Sequence, residues 1–256
     1  MKQLLYNSSF FVLLFIALVS VTLVFCDWMK RAPNETFIKI DGDGKDYYSY
    51  LTSAFITKDL AHLKPDNNFV VETPTGNINL HPVGVAVLQL PFFGLGYVGA
   101  LLSQQPLDGY SLPFQLAIGF AALFYAIIGF LFIYKTLVNL QFQKNVVFWS
   151  LFCLFFGTTL LHYTITEPSM SHIYSFALIS AFIYYAQKLS QQFSSRDLYL
   201  LAILLGLIIL VRPVNAIVLL VIPFFYKSVS DLKHQLKLLV TQKKQLLLAV
   251  VITLAI

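Results

Sequence analysis

Charge is what this chain of 256 residues has least of: 11% is Asp, Glu, Lys or Arg, against 58% hydrophobic residues. A soluble domain carries about 25% charged residues, so the chain lacks the polar surface to coat a globule in water. The same scarcity excludes a disordered chain and a basic nucleic-acid-binding face. Cysteine is scarcer still. Cys26 and Cys153 are the only two, both in or beside apolar runs, so neither a disulfide framework nor a thiolate metal cluster can be built. A Gly-rich strand-to-helix phosphate loop is also absent, which argues against a soluble nucleotide as the phosphate source.

What is present is a series of long apolar runs: residues 7–26, 83–102, 112–134, 146–165, 170–186 and 198–225. About 20 apolar residues cross a bilayer core as a helix. The 17 Lys and Arg outnumber the 12 Asp and Glu, for a net charge of +5, and most of the basic residues fall in gaps between the runs. This pattern predicts an all-α integral membrane protein, a polytopic helical bundle forming one transmembrane domain over residues 1–256. Residues 7–26 have no small-x-small cleavage site, and bulky Phe25 precedes Cys26, so an uncleaved first helix is expected rather than a signal peptide. The last run, 246–256, is too short to span, and the expectation is a longer protein whose carboxy-terminal part is missing here.

Residues 27–82 form the one long polar stretch and hold eight of the twelve acids: Asp27, Glu35, Asp41, Asp43, Asp46, Asp59, Asp66 and Glu72. Within it, Tyr47, Leu51, Ala54 and Phe55 fall on one helical stripe, which predicts an interfacial amphipathic helix. Positive residues mark cytoplasmic loops. With the amino terminus inside, 27–82 is an extracytoplasmic loop. The basic gaps at 135–144, 188–196 and 227–244 are then all cytoplasmic on two conditions. Residues 83–102 must dip in without fully crossing, and 198–225 must be a hairpin broken at Arg212 and Pro213, where proline removes a backbone donor.

Four polar features then share one side. Asp41-Gly42-Asp43 supplies two carboxylates that suit a general base or a divalent cation. An EF-hand does not fit, because Lys45, Asp46 and Thr52 occupy its fifth, sixth and twelfth positions. A pair of Asp-Gly turns entering a helix is the competing structural reading. His81-Pro82 precedes an apolar run, where His81 could meet an anionic headgroup or act as an ordinary hydrogen-bonding residue. In Glu167-Pro168-Ser169-Met170-Ser171-His172, Pro168 is expected in a first helical turn with Glu167 at the cap. Free amides there favour anions. Arg212 lies in the middle of an apolar run and must meet an acid, a phosphate or water. Its planar guanidinium matches phosphate oxygens.

The order of these motifs carries a resemblance. An acidic outer loop with an Asp pair and Tyr47-Tyr48-Ser49-Tyr50-Leu51 is followed by Pro82-Val83-Gly84, Pro91-Phe92-Phe93, Glu167-Pro168-Ser169-Met170-Ser171-His172 and Arg212-Pro213-Val214-Asn215. From about residue 7 to 225 the chain resembles the bacterial membrane glycosyltransferases of the GT-C superfamily. Relatives in that superfamily include protein O-mannosyltransferases, the lipid A aminoarabinose transferase and the catalytic subunit of oligosaccharyltransferase. The resemblance implies a multi-pass protein of the bacterial inner membrane that moves a sugar from a polyprenyl-phosphate donor to a lipid, glycan or protein acceptor outside the cytoplasm. It implies Asp41 as catalytic base and Asp43 as second carboxylate. Arg212, Glu167, His172, His81, Ser171 and Tyr48 would line the phosphate and sugar pocket. Some members use a metal, so a divalent cation at Asp41 and Asp43 stays open. Members often carry a Lys and a Tyr where Leu80 and His81 stand here. The rival reading is a non-catalytic transporter or flippase of an anionic or lipid-linked substrate, although Arg212 has no second midplane charge and no inverted repeat is visible.

Overall fold

The computed structural model describes Val19, residues 38–61, Leu63 and residues 70–256. The expected first helix over 7–26 lies outside the described residues. The described chain is mostly helical. It runs through α1 (Asp43–Thr52), a π-turn (Ser53–Thr57), β1 (Val70–Thr73), β2 (Gly76–Asn79), α2 (Gly84–Leu102), α3 (Leu112–Asn139), α4 (Lys144–Phe156), α5 (Leu160–Ile165), α6 (Ser171–Gln191) and α7 (Ser195–Val211). A 3-10 helix (Pro213–Phe225), α8 (Val229–Thr241) and α9 (Lys243–Ala255) complete it. By length and composition α2 and α3 can cross a membrane, and a third crossing is possible if the bent pair of the 3-10 helix and α8 counts as one.

The bundle closes on small residues. Ala121, Ala122, Ala126 and Gly129 of α3 face α6, where Ile173, Tyr174 and Ala177 are buried, so the two backbones approach closely. The pairs Tyr125 with Tyr174 and Gln187 with Thr136 show that α3 and α6 run parallel. The return is made by α4 and α5. The sequence reads 146–165 as one run, but the helix breaks after Phe156, where Gly157 and Thr158 interrupt it. Phe155 of α4 meets Phe130 of α3 edge-on.

The break expected at Arg212 is present. α7 ends at Val211, Arg212 is extended, and the chain turns back as the 3-10 helix. Leu219 and Ile222 then lie beside Leu198, Leu201 and Leu205 at the start of α7, which makes a hairpin. The difficulty with such a hairpin is length, since its second half has 13 residues. A rise of about 2.0 Å per residue carries those residues about 26 Å, the same reach as the 17 residues of α7 at about 1.5 Å. The tighter winding also sets the side chains in threes. Val214, Ile217 and Leu220 are exposed, whereas Asn215 and Val218 face the bundle.

The consequence is a bundle with two chemically different ends. Lys135 lies over the Tyr184 ring, Lys188 pairs with Asp197 at 3.1 Å, and Tyr226 and Leu232 are beside Leu198. The three basic gaps therefore gather at one end. Glu167, His172, Arg212 and α1 occupy the other.

The acidic segment differs from expectation in two ways. Its helix is not half-exposed on a surface: Tyr47, Tyr48 and Leu51 are buried, and so are Asp46 and Ser49. Gly44 lets α1 sink, because a methyl group there would collide with the Ser169 side chain. The segment also contains the two-stranded antiparallel hairpin β1–β2, with Val70 opposite Asn79. The run Val70-Val71-Glu72-Thr73 followed by Pro74-Thr75-Gly76 has the β-branched residues and turn chemistry for this hairpin, which an all-α expectation leaves out.

Candidate functional site

Three tethers hold the acidic segment on the bundle. The Gln115 side-chain carbonyl of α3 accepts from the backbone amides of Lys39 and Ile40, at 2.7 and 2.9 Å. The Lys39 ammonium, buried, donates to the Ile165 carbonyl at 2.7 Å. Next, the Asp41 amide donates to Ser169 Oγ at 3.3 Å. These bonds fix the start of α1 beside the turn that joins α5 to α6, so the two segments richest in polar residues meet.

At the centre is His81. Its Nδ1 lies 3.3 Å from Asp46 Oδ2, and its Nε2 lies 3.8 Å from Asp43 Oδ2. The Tyr47 ring meets the imidazole edge-on at 4.8 Å. The backbone of His81 is held on both sides: its amide donates to Asn79 Oδ1 at 2.9 Å, and its carbonyl accepts from the Tyr50 hydroxyl at 2.8 Å. Asn79 in turn donates to the Asp46 carbonyl at 2.8 Å. Asp46 is wholly buried, while the Asp43 side chain is about half exposed (47%). A buried carboxylate, an imidazole and an accessible carboxylate are thus in series.

On the facing wall are Glu167, His172 and Arg212. Glu167 pairs with His162 Nε2 at 3.4 Å, and His172 stacks on Tyr163 with ring centroids 4.0 Å apart. The charges of Arg212, Glu167 and Asp43 all act on the His172 ring, which places the four in one neighbourhood. Asn215 donates to Ser175 Oγ at 3.0 Å and ties the start of the 3-10 helix to α6. The Arg212 guanidinium is half-buried, and among the described residues no hydrogen bond or ion pair reaches it.

Of the residues singled out from the sequence, Asp43, His81, Glu167, His172 and Arg212 come together. The others are placed differently. The Asp41 carboxylate points outward, two-thirds exposed, and pairs with Lys45 at 3.4 Å. Tyr48 does not fit a ligand-lining role: it is fully buried, its hydroxyl donates to the Gly109 carbonyl at 2.7 Å, and burial pushes its pKa well above the usual phenol value. Ser171 is buried as well, with Tyr47 donating to its Oγ at 3.4 Å. His81 is a poor headgroup ligand, because the carboxylates at its two nitrogens would repel an anion. The expected cap at Glu167 is also displaced. α6 starts at Ser171, with Met170 as its cap residue and Pro168 in the preceding turn.

The donor set does not suit a divalent cation at Asp41 and Asp43. One carboxylate is taken by Lys45 and the other faces His81, and among the described residues no three His, Cys, Asp or Glu side chains converge in a metal-holding group. Asp46, Lys39 and Gln89 were not legible as site residues. Gln89 of α2 is fully buried and donates to the Tyr174 hydroxyl at 3.0 Å, which donates to the Pro168 carbonyl at 2.9 Å and so braces the turn before α6. Its position in an apolar helix was the available signal. No family model, curated protein or solved structure matches the chain.

Proposed function

We propose that this chain forms the catalytic face of a membrane glycosyltransferase that takes a sugar from a polyprenyl-phosphate donor outside the cytoplasm. The observation that carries the reading is Arg212: a half-buried residue at the break of a helical hairpin, without an acid partner among the described residues, in the neighbourhood of Asp43 and Glu167. An intramembrane arginine of this kind suits a phosphate, which its planar donors can bind in pairs. The end of the bundle opposite the three basic gaps is the extracytoplasmic end by the positive-inside rule, which agrees with a lipid-linked donor.

In this reading Asp43, rather than Asp41, is the base, because its carboxylate faces the shared neighbourhood while that of Asp41 is held outward by Lys45. The acceptor hydroxyl gives its proton to Asp43. Its oxygen bonds to the anomeric carbon as the bond from that carbon to the phosphate oxygen breaks. The electron pair leaves with the lipid phosphate, whose charge Arg212 stabilises. His81, backed by Asp46, holds Asp43 in place.

The test uses the complete reading frame in membranes with a panel of radiolabelled polyprenyl-phosphate sugars, following release of lipid phosphate. Wild-type release that Asp43→Asn and Arg212→Ala both abolish, with insertion unchanged, supports the reading. Full activity in Asp43→Asn removes that residue from the mechanism. No release with any sugar from well-inserted protein moves the assignment to a lipid-substrate transporter.

A further inference from the structure

At the basic end of the bundle, far from Arg212, an apolar cavity of about 360 Å³ opens between α6, α7, the 3-10 helix, α8 and α9. Nearly all of its lining is hydrocarbon, with Leu201 and Leu205 on one side and Val250 and Leu254 on the other. Only Tyr226 and Thr253 bring hydroxyls, and the Thr253 hydroxyl is already bonded to the Ala202 and Ala249 carbonyls. From Leu198 to Leu205 the cavity rises about 10 Å along α7.

Its mouth is basic. The axis bends by 115° between the 3-10 helix and α8, so α8 lies across the end of the bundle. Leu232, Leu236 and Leu239 of α8 reach into the cavity, while Lys233 and Lys237 on the same helix are exposed. Lys227 precedes α8 and Lys243 and Lys244 open α9, all exposed; of the acids at this end, Asp197 is paired with Lys188 and Asp231 lies in the first turn of α8. None of the five lysines has an ion-pair partner among the described residues. A helix with leucines on one face and lysines on the other is built to lie in the headgroup layer.

We infer that this groove is a site for one anionic phospholipid of the inner leaflet, its acyl chain rising along α7 and its headgroup phosphate held by Lys233, Lys237 and the lysines that open α9. The charge complementarity selects the headgroup, and the direction of the groove selects the tail. A zwitterionic lipid fills the cavity equally well but gains less from the rim, because its own ammonium offsets the phosphate charge. The inference rests on the membrane reading of the chain and is independent of the glycosyltransferase reading.

Native mass spectrometry of the full-length protein, titrated with phosphatidylglycerol or with phosphatidylcholine of the same chains, tests it. Each lysine near an anionic surface is worth about fivefold in affinity. Wild type is expected to retain phosphatidylglycerol at least tenfold more tightly than phosphatidylcholine. Lys233→Gln, Lys237→Gln, Lys243→Gln and Lys244→Gln together are expected to remove that preference while leaving phosphatidylcholine retention close to wild type. Val250→Trp, which fills the groove from an exposed position, is expected to lose both lipids. Equal retention of the two lipids by wild type overturns the inference. So does a Val250→Trp protein that binds as well as wild type, or a groove that takes neither lipid because another part of the polypeptide fills it.

Discussion

Asp46 is wholly buried and its Oδ2 lies 3.3 Å from His81 Nδ1, so a carboxylate taken out of water rests against an imidazole. Removing one member of a buried charged pair costs about 3–5 kcal/mol. Asp46→Leu is therefore expected to lower the thermal midpoint of the detergent-solubilised protein strongly. Asp46→Asn, which keeps an acceptor toward Nδ1, should cost much less. A double-mutant cycle of Asp46→Leu with His81→Leu is the decisive measurement: the double variant should be more stable than the sum of the single losses. Strict additivity would show that the two side chains do not interact.

Gly44 and Ser169 make the second sensitive contact. A Cβ on Gly44 would collide with the Ser169 side chain, at the point where the Asp41 amide also reaches Ser169 Oγ. Gly44→Ala is expected to destabilise by about 1–3 kcal/mol, the usual cost of overpacking. It should also displace α1 and with it Asp43. Ser169→Gly in the same chain opens the space and should restore most of the loss. Gly84 offers the contrast, because a Cβ there meets the backbone of Leu210 and Val211. No side-chain substitution opposite it can rescue Gly84→Ala.

The residues that were legible in the sequence are those whose chemistry is local. Pro213 marks the break by its missing donor, and Arg212 stands out because a guanidinium in an apolar run needs a partner. What periodicity cannot carry is pairing between distant segments. Asp46 looks like one acid among three until His81 is placed against it. Tyr48 and Tyr47 are neighbours in a tyrosine-rich motif, yet one reaches Gly109 and the other Ser171, because successive helical residues point about 100° apart. Nor does an apolar run show that the chain after Pro213 winds as a 3-10 helix, which is what lets 13 residues match the reach of α7.

Because no acid among the described residues is paired with Arg212, its removal strands none of their charges. Arg212→Ala should leave the thermal midpoint of the ligand-free protein close to wild type. The substitution should act only when an anion is present. Undecaprenyl phosphate is expected to raise the wild-type midpoint and to leave that of Arg212→Ala unmoved, with Arg212→Lys between them because an ammonium lacks the paired donors. A large loss of midpoint in the ligand-free variant would mean that the guanidinium is structural.

The last expected outcome concerns the sides of the membrane. α2 has the length and composition to cross, but the loop at its far end touches the acidic segment: the Tyr48 hydroxyl reaches the Gly109 carbonyl, and Gly109 packs against Thr52. α1 touches His81 just before α2 and Gly109 in the loop beyond it, so both ends of α2 are expected on the acidic side. Single cysteines introduced into a protein lacking Cys26 and Cys153 can report this with an impermeant maleimide. Gln105→Cys and Thr75→Cys should react from one side of intact vesicles, and Gln143→Cys and Gln192→Cys from the other, all four being exposed positions. If Gln105→Cys labels with Gln143→Cys instead, α2 crosses the bilayer. The contacts between Tyr48 and Gly109 would then have to lie within the membrane rather than above it.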